Sequence, residues 1–154
     1  MHLFEENIKN LGLNIPELPK ALANYVPYKI VGKTMYISGQ APVQNGELIY
    51  KGKVGSDITI EDGIEAARLC VTNIIAAVKT GLEGDWDKLD SFVKLTGFVN
   101  CQDDFTDQPK IINGASDMLV DIFGDQGRHA RVAVGSNALP LGISVEIDAI
   151  VQLK

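Results

Sequence analysis

The chain has 154 residues, enough for one ordinary core and too few for a separate substrate-binding module. Hydrophobic residues make up 45% of it and charged residues 22%, a balance that excludes intrinsic disorder as the carrier of function. The net charge of −6, with no Lys/Arg run to offset it, argues against unaided binding to nucleic acid or an anionic membrane, because both rely on concentrated cations.

The N-terminal stretch MHLFEENIKNLGLNIPELPK is acidic and polar where a secretory signal shows a basic start and an apolar run. No uninterrupted apolar segment approaches bilayer length, so a cytoplasmic protein is the expectation. Phe4, Ile8 and Leu11 fall at helical spacing before Gly12, Pro16 and Pro19, which predicts a short helix and an irregular arm over residues 1–19 leading into one domain over 20–154. Lys29–Val31 and Thr34–Ser38 read as strands joined at Gly32 and Lys33, and Gly39-Gln40 ends the second where backbone can approach a ligand closely. Asn45-Gly46 marks a turn in the loop that follows.

The strongest periodicity begins after Thr59, whose hydroxyl can cap a helix with Asp62 at the third helical position. Ile60, Ile64, Ala67, Val71, Ile74 and Val78 recur at three and four until Gly81, opposite Glu61, Glu65, Arg68 and Lys79. In SFVKLTGFVNC, strict alternation places Phe92, Lys94, Thr96, Phe98 and Asn100 on one face and Val93, Leu95, Gly97 and Val99 on the other. A second helix is predicted at about Gln108–Phe123, and the strands Arg131–Val134 and Ile143–Leu153 close the chain around an ALPLG corner. The order β-β-α-β-α-β favours an α+β sandwich with a mixed sheet and both helices on one face. Two helices cannot cover both faces, and packing against copies of the same chain is the economical way to bury the other.

In the last strand, Ile143, Val145, Ile147, Ala149, Val151 and Leu153 form an unbroken apolar face, while Ser144, Glu146, Asp148, Ile150 and Gln152 share a mixed one. Glu146 there is either a rim carboxylate or a proton-transfer group in an interface crevice. Arg131 is either a surface charge or a bidentate clamp for a ligand carboxylate. Should it face the same cleft as Glu146, the small Ala133 leaves room for a ligand between them. Tyr25 and Ser38 read by themselves as packing and turn residues.

Cys70 lies in apolar helical sequence and reads as core, whereas Cys101 follows a strand at a position open to exposure; two cysteines are too few to staple the domain. His129 has no second ligand at metal spacing and His2 is terminal, so no metal site is expected. Gly39, Gly46, Gly52 and Gly55 form no Gly-rich phosphate loop and so no nucleotide-binding motif. Nucleophilic catalysis by Ser38 or Cys101 needs an activating base that the sequence does not identify.

The segments VGKTMYISGQAP, TNIIAAVK, LTGFVN and ARVAVGSNALPLGISVEIDAI together resemble the RidA/YjgF/YER057c/UK114 family, also labelled endoribonuclease L-PSP, over about residues 20–153. The resemblance implies a chorismate-mutase-like two-layer fold, a homotrimer packed through its sheets, and three pockets between subunits. It also implies hydrolytic deamination of small reactive 2-enamino and 2-imino acids to 2-oxo acids and ammonia, without metal or organic cofactor. Carried over, Arg131 binds the substrate carboxylate, Glu146 serves proton transfer, and Tyr25, Ser38 and Asn113 orient substrate or water. The family cysteine two positions after the arginine is Ala133 here, and the GPYSQA-like opening is ANYVPYKI. The alternatives are a non-catalytic trimer that binds a small carboxylate metabolite and, last, an endoribonuclease or translation inhibitor.

Overall fold

The computed structural model describes residues 1–18 and 23–154, and the expected boundary between arm and domain, with Pro19, falls outside them. Helix α1 (Leu3–Asn10), strands β1 (Tyr28–Val31) and β2 (Thr34–Gln40), a small hairpin of β3 (Val43–Gln44) and β4 (Glu47–Leu48), and helix α2 (Ile60–Gly81) form the first half. Strand β5 (Leu89–Asn100), helix α3 (Gln108–Phe123), and strands β6 (Ala130–Ser136) and β7 (Val145–Leu153) form the second. The main sheet runs β1-β2-β7-β5-β6, with β5 and β6 parallel and every other pair antiparallel. The architecture is therefore the expected α+β sandwich.

Helix α2 starts where its cap requires: the Thr59 hydroxyl accepts a hydrogen bond from the Asp62 amide at 3.1 Å. Its apolar stripe and that of α3 cover one face of the sheet, and β7 lies in the middle of that sheet with Val145, Ile147, Ala149 and Val151 buried beneath the helices. Gly97 of β5 permits the close approach of α3, since a Cβ there would lie 2.6 Å from Ile112 Cδ1.

Three expectations are corrected. Strand β5 does not alternate strictly: Phe92 pairs with Val151 and Lys94 with Ile150, so Val93 bulges out and Phe92 joins Leu95, Gly97 and Val99 on the core face. One extra residue reverses the phase of everything before it. The last strand begins at Val145, because Leu141 and Gly142 turn with φ of 59° and 70° and leave Ile143 with only an isolated bridge to Lys51. Cys101 is buried at 5% exposure against the core, not open to solvent; Cys70 is buried as expected, and both thiols are free.

The bulge delivers Phe92 into an aromatic cluster that anchors α1. The Phe123 ring lies 4.9 Å from both Phe92, tilted, and Phe4, edge-on, and Phe4 meets Trp86 edge-on at 6.0 Å. The Glu5 carboxylate accepts from Trp86 Nε1 at 2.8 Å and pairs with Lys79 Nζ at 2.7 Å. Those two hydrogen bonds, Lys79 first, hold the Glu5 carboxyl below its ordinary value.

Among the described residues no helix covers the opposite face of the sheet. Tyr36, Val132 and Val134 stand 50%, 42% and 40% exposed on it, beside Thr96, Phe98, Ile150 and the carboxylates of Glu146 and Asp148. That much exposed β-branched and aromatic surface forms an apolar patch on this face.

Candidate functional site

Glu146 sits on the uncovered face because β7 alternates strictly and its neighbours Val145 and Ile147 point into the core. Phe98 is its cross-strand partner. On the other side, Ile37 pairs with Ala149 and Gln40 with Ile147, so Ser38 and Gly39 bulge opposite the single residue Asp148. The bulge brings backbone against the carboxylate: a Cβ on Gly39 would stand 3.0 Å from Glu146 Cδ. Glu146 is half-buried, and burial first, then the negative charge of Asp148, pushes its pKa up from the ordinary carboxylate range. Among the described residues no ion pair reaches it.

Ser38 holds the segment in front of this carboxylate. Its hydroxyl donates to the Val26 carbonyl at 2.7 Å and its amide to the Pro27 carbonyl at 2.9 Å, which ties the residues around Tyr25 to β2. Tyr25 itself is 51% exposed. Gly39, Ser38 and Glu146 form one polar half-site, with the Tyr25 segment tethered beside it.

Arg131 belongs to a second half-site. It stands in the row of Leu95 and Ala149, both buried beneath the helices, whereas Glu146 stands in the row of Phe98 and Val134 on the uncovered face. The expectation that Arg131 faces the same side of the sheet as Glu146, with both in a cleft completed by a neighbouring subunit, is corrected in its first part: within one chain the two do not share a side. Residue parity along paired strands puts them on opposite sides of the sheet. Arg131 and Ala133 do share a side, as expected, and Ala133 is partly buried at the margin of the core.

What surrounds Arg131 comes from α3. Its Nη1 donates to Ser116 Oγ at 3.1 Å and its Nη2 to the Pro109 carbonyl at 3.3 Å. Asn113 lies four residues after Pro109 and three before Ser116, on the same helical face, and is exposed. The His129 ring bridges Gly127 O through Nδ1 at 2.7 Å and Ser116 Oγ through Nε2 at 2.9 Å. A carbonyl only accepts, so Nδ1 carries the proton; in the neutral ring Nε2 then accepts from the Ser116 hydroxyl, whose oxygen accepts from Arg131. This chain of hydrogen bonds fixes the guanidinium over the helix face while leaving Nη donors for a ligand. Ser116 and His129 were not singled out by the sequence, where His129 was weighed only as a metal ligand. The available signal was parity, since residues 129, 131 and 133 fall on one side of an alternating strand.

Among the described residues no three His, Cys, Asp or Glu side chains gather as a metal site would require. No helix is long and apolar enough to cross a membrane. The arrangement places the Arg131 guanidinium on one side of the sheet and a carboxylate with raised proton affinity on the other.

A two-layer sandwich with β5 and β6 parallel, an uncovered sheet face and a divided polar site defines the YjgF/chorismate mutase-like class of fold. The chain belongs to that family: the family model described as "YjgF/chorismate mutase-like, putative endoribonuclease" matches residues 5–151. The Trypanosoma cruzi protein TCP17 is 39% identical over 149 residues, which span 96% of this chain and 92% of that protein. The crystal structure of Atu1372 from Agrobacterium tumefaciens, of unknown function, superposes with a TM-score of 0.93 at 43% identity, covering 99% of this chain and 93% of that one. E. coli TdcF with bound serine superposes with a TM-score of 0.61 at 25% identity, covering 88% and 93%.

Proposed function

We propose that the protein hydrolyses small 2-imino and 2-enamino acids to 2-oxo acids and ammonia, in a pocket closed between two protomers of a homotrimer. Arg131, Asn113 and Ala133 come from one protomer, and Glu146, Ser38 and Tyr25 from the next. The observation that carries this reading is the division of the site: a clamp and a proton-transfer group on opposite sides of a sheet meet only if a second copy packs there. The uncovered apolar face supplies a surface for that packing.

In the reaction, Arg131 binds the substrate carboxylate in bidentate fashion and presents the imine carbon to water. Glu146 takes a proton from the attacking water and returns one to nitrogen. Glu146 then takes the hydroxyl proton of the tetrahedral intermediate and passes it to the amino nitrogen, so that the C–N bond breaks, ammonia leaves and the C=O of the 2-oxo acid forms. A carboxyl with its pKa raised by burial is suited to both transfers, because it accepts and releases a proton closer to neutrality than a solvated one. The step consumes one water and needs no redox partner, metal or organic cofactor. Serine in the E. coli TdcF structure is a small carboxylate-bearing molecule held by a family member, which supports the carboxylate clamp.

The test follows ammonia and 2-oxo acid from freshly generated 2-iminobutanoate or 2-aminoacrylate, with spontaneous hydrolysis subtracted, beside Arg131→Ala and Glu146→Gln. Unaltered turnover in both variants rejects the mechanism. Saturable binding without turnover in the parent favours the non-catalytic carboxylate-binding reading, which the separation of Arg131 from Glu146 within one chain keeps open. The endoribonuclease label of the family ranks last, since a chain of net charge −6 lacks a phosphate-tracking basic stripe.

A further inference from the structure

Away from both half-sites, a cavity of about 320 Å³ opens between the arm after α1, the β3–β4 hairpin, α2 and α3. None of its walls belongs to the five-stranded sheet. Its volume falls at the lower end of small-molecule sites. Leu13, Leu69 and Met118 give it an apolar side, and Glu65, Arg68 and Asn73 of α2 a polar one.

Asn73 is 1% exposed and held in one orientation. Its amide nitrogen donates to the carbonyls of Ala41 at 3.1 Å and Val43 at 3.2 Å, so both N–H groups are used. The amide oxygen thus turns away from those carbonyls, and among the described residues nothing donates to it. Arg68 is similarly underused. Its Nε lies 3.6 Å from the Glu65 carboxylate, one helical turn away, and no hydrogen bond from its guanidinium is formed among the described residues. A long, partly exposed i,i+3 pair is weak and yields readily to a ligand. The cavity thereby presents a cation, an anion and the Asn73 amide, whose oxygen has no donor among the described residues, around an apolar patch.

That combination matches one ligand chemistry. A carboxylate suits the Arg68 fork, an ammonium satisfies Glu65 and the Asn73 oxygen together, and a short side chain lies on Leu13, Leu69 and Met118. We propose that this cavity is a second binding site, for a small neutral α-amino acid, separate from the Arg131 and Glu146 half-sites.

The probes are L-threonine and L-valine, with 2-oxobutanoate lacking the ammonium and isopropylamine lacking the carboxylate, titrated calorimetrically into the full chain. In the Arg131→Ala chain, where the carboxylate clamp no longer contributes, saturable binding is expected for the two amino acids and not for the two fragments. Arg68→Gln and Glu65→Gln each weaken it at least about tenfold, the scale of one charge-assisted hydrogen bond, while Arg131→Ala leaves it unchanged. Unaltered thermal unfolding in the two α2 variants separates loss of the site from loss of the fold. Binding that survives both α2 substitutions but is lost in Arg131→Ala overturns the proposal and moves the ligand to the carboxylate clamp. Absence of saturable binding by either amino acid overturns it outright.

Discussion

Mixed assemblies test whether Arg131 and Glu146 act across a protomer boundary. Within one chain they occupy opposite sides of the sheet, Arg131 in the row of Leu95 and Ala149 and Glu146 in the row of Phe98 and Val134. On the proposed mechanism, Arg131→Ala removes the charged hydrogen bonds to substrate, worth about 1.5–3 kcal/mol, so substrate capture weakens roughly 10- to 150-fold. Glu146→Gln removes the proton-transfer group, which costs about 10²–10⁴ in kcat. Neither homogeneous variant retains a complete pocket. After co-refolding in equal amounts, a pocket is complete when the protomer giving its arginine carries the glutamine variant and the next carries the alanine variant. Each condition holds half the time, so about 25% of pockets regain both groups, whatever the number of protomers in a closed ring. Ammonia release in the mixture should therefore rise to about one quarter of the parent rate. A mixture no more active than its two components refutes the shared pocket, and a variant that keeps parental turnover refutes the assigned role.

Three further outcomes follow from the same contacts. The Glu146 carboxyl is raised in the folded chain, so the stability it supplies is complete below its ordinary value of 4.5 and is lost as pH climbs through the folded value. In urea unfolding of dilute protein, Glu146→Gln should gain on the parent as pH rises above 4.5, and a constant difference refutes the assignment. Glu5 has the opposite sign: its carboxyl is depressed, so its contribution holds above 4.5 and fades as pH falls. Glu5→Gln should cost about 1 kcal/mol near neutrality and almost nothing in acid, read from urea midpoints. Gly97→Ala drives a methyl to 2.6 Å from Ile112 Cδ1 and should cost about 1–3 kcal/mol, with Ile112→Val in the same chain recovering only part of it.

The elements with long, regular periodicity were readable directly. Thr59 to Gly81 and Gln108 to Phe123 carry enough repeats that their helical ends fall where the spacing places them. The alternation of β7 was equally plain, and it correctly put Glu146 opposite a continuous apolar face. The bulge at Val93 left no such mark, because the residues SFVKL fit strict alternation as well as they fit a phase shift. What selects the shift is the aromatic cluster that receives Phe92, formed by Phe123 with Phe4 and Trp86 from distant parts of the chain. Cys101 was misread for a related reason: its burial comes from α3 and β6, with Gln108 Nε2 at 3.7 Å and the bare Gly135 beside its sulfur.

The sequence by itself determined the family, the two covering helices and the identity of the polar residues, because each depends on local spacing or on short segments read as a unit. Which side of the sheet each polar residue occupies was decided only in the tertiary structure. That side follows from the register between strands far apart in the chain, and a single residue of register reverses it. Hence Arg131 and Glu146 could be singled out from the sequence, while their separation on opposite faces emerged only when β5 paired with both β6 and β7.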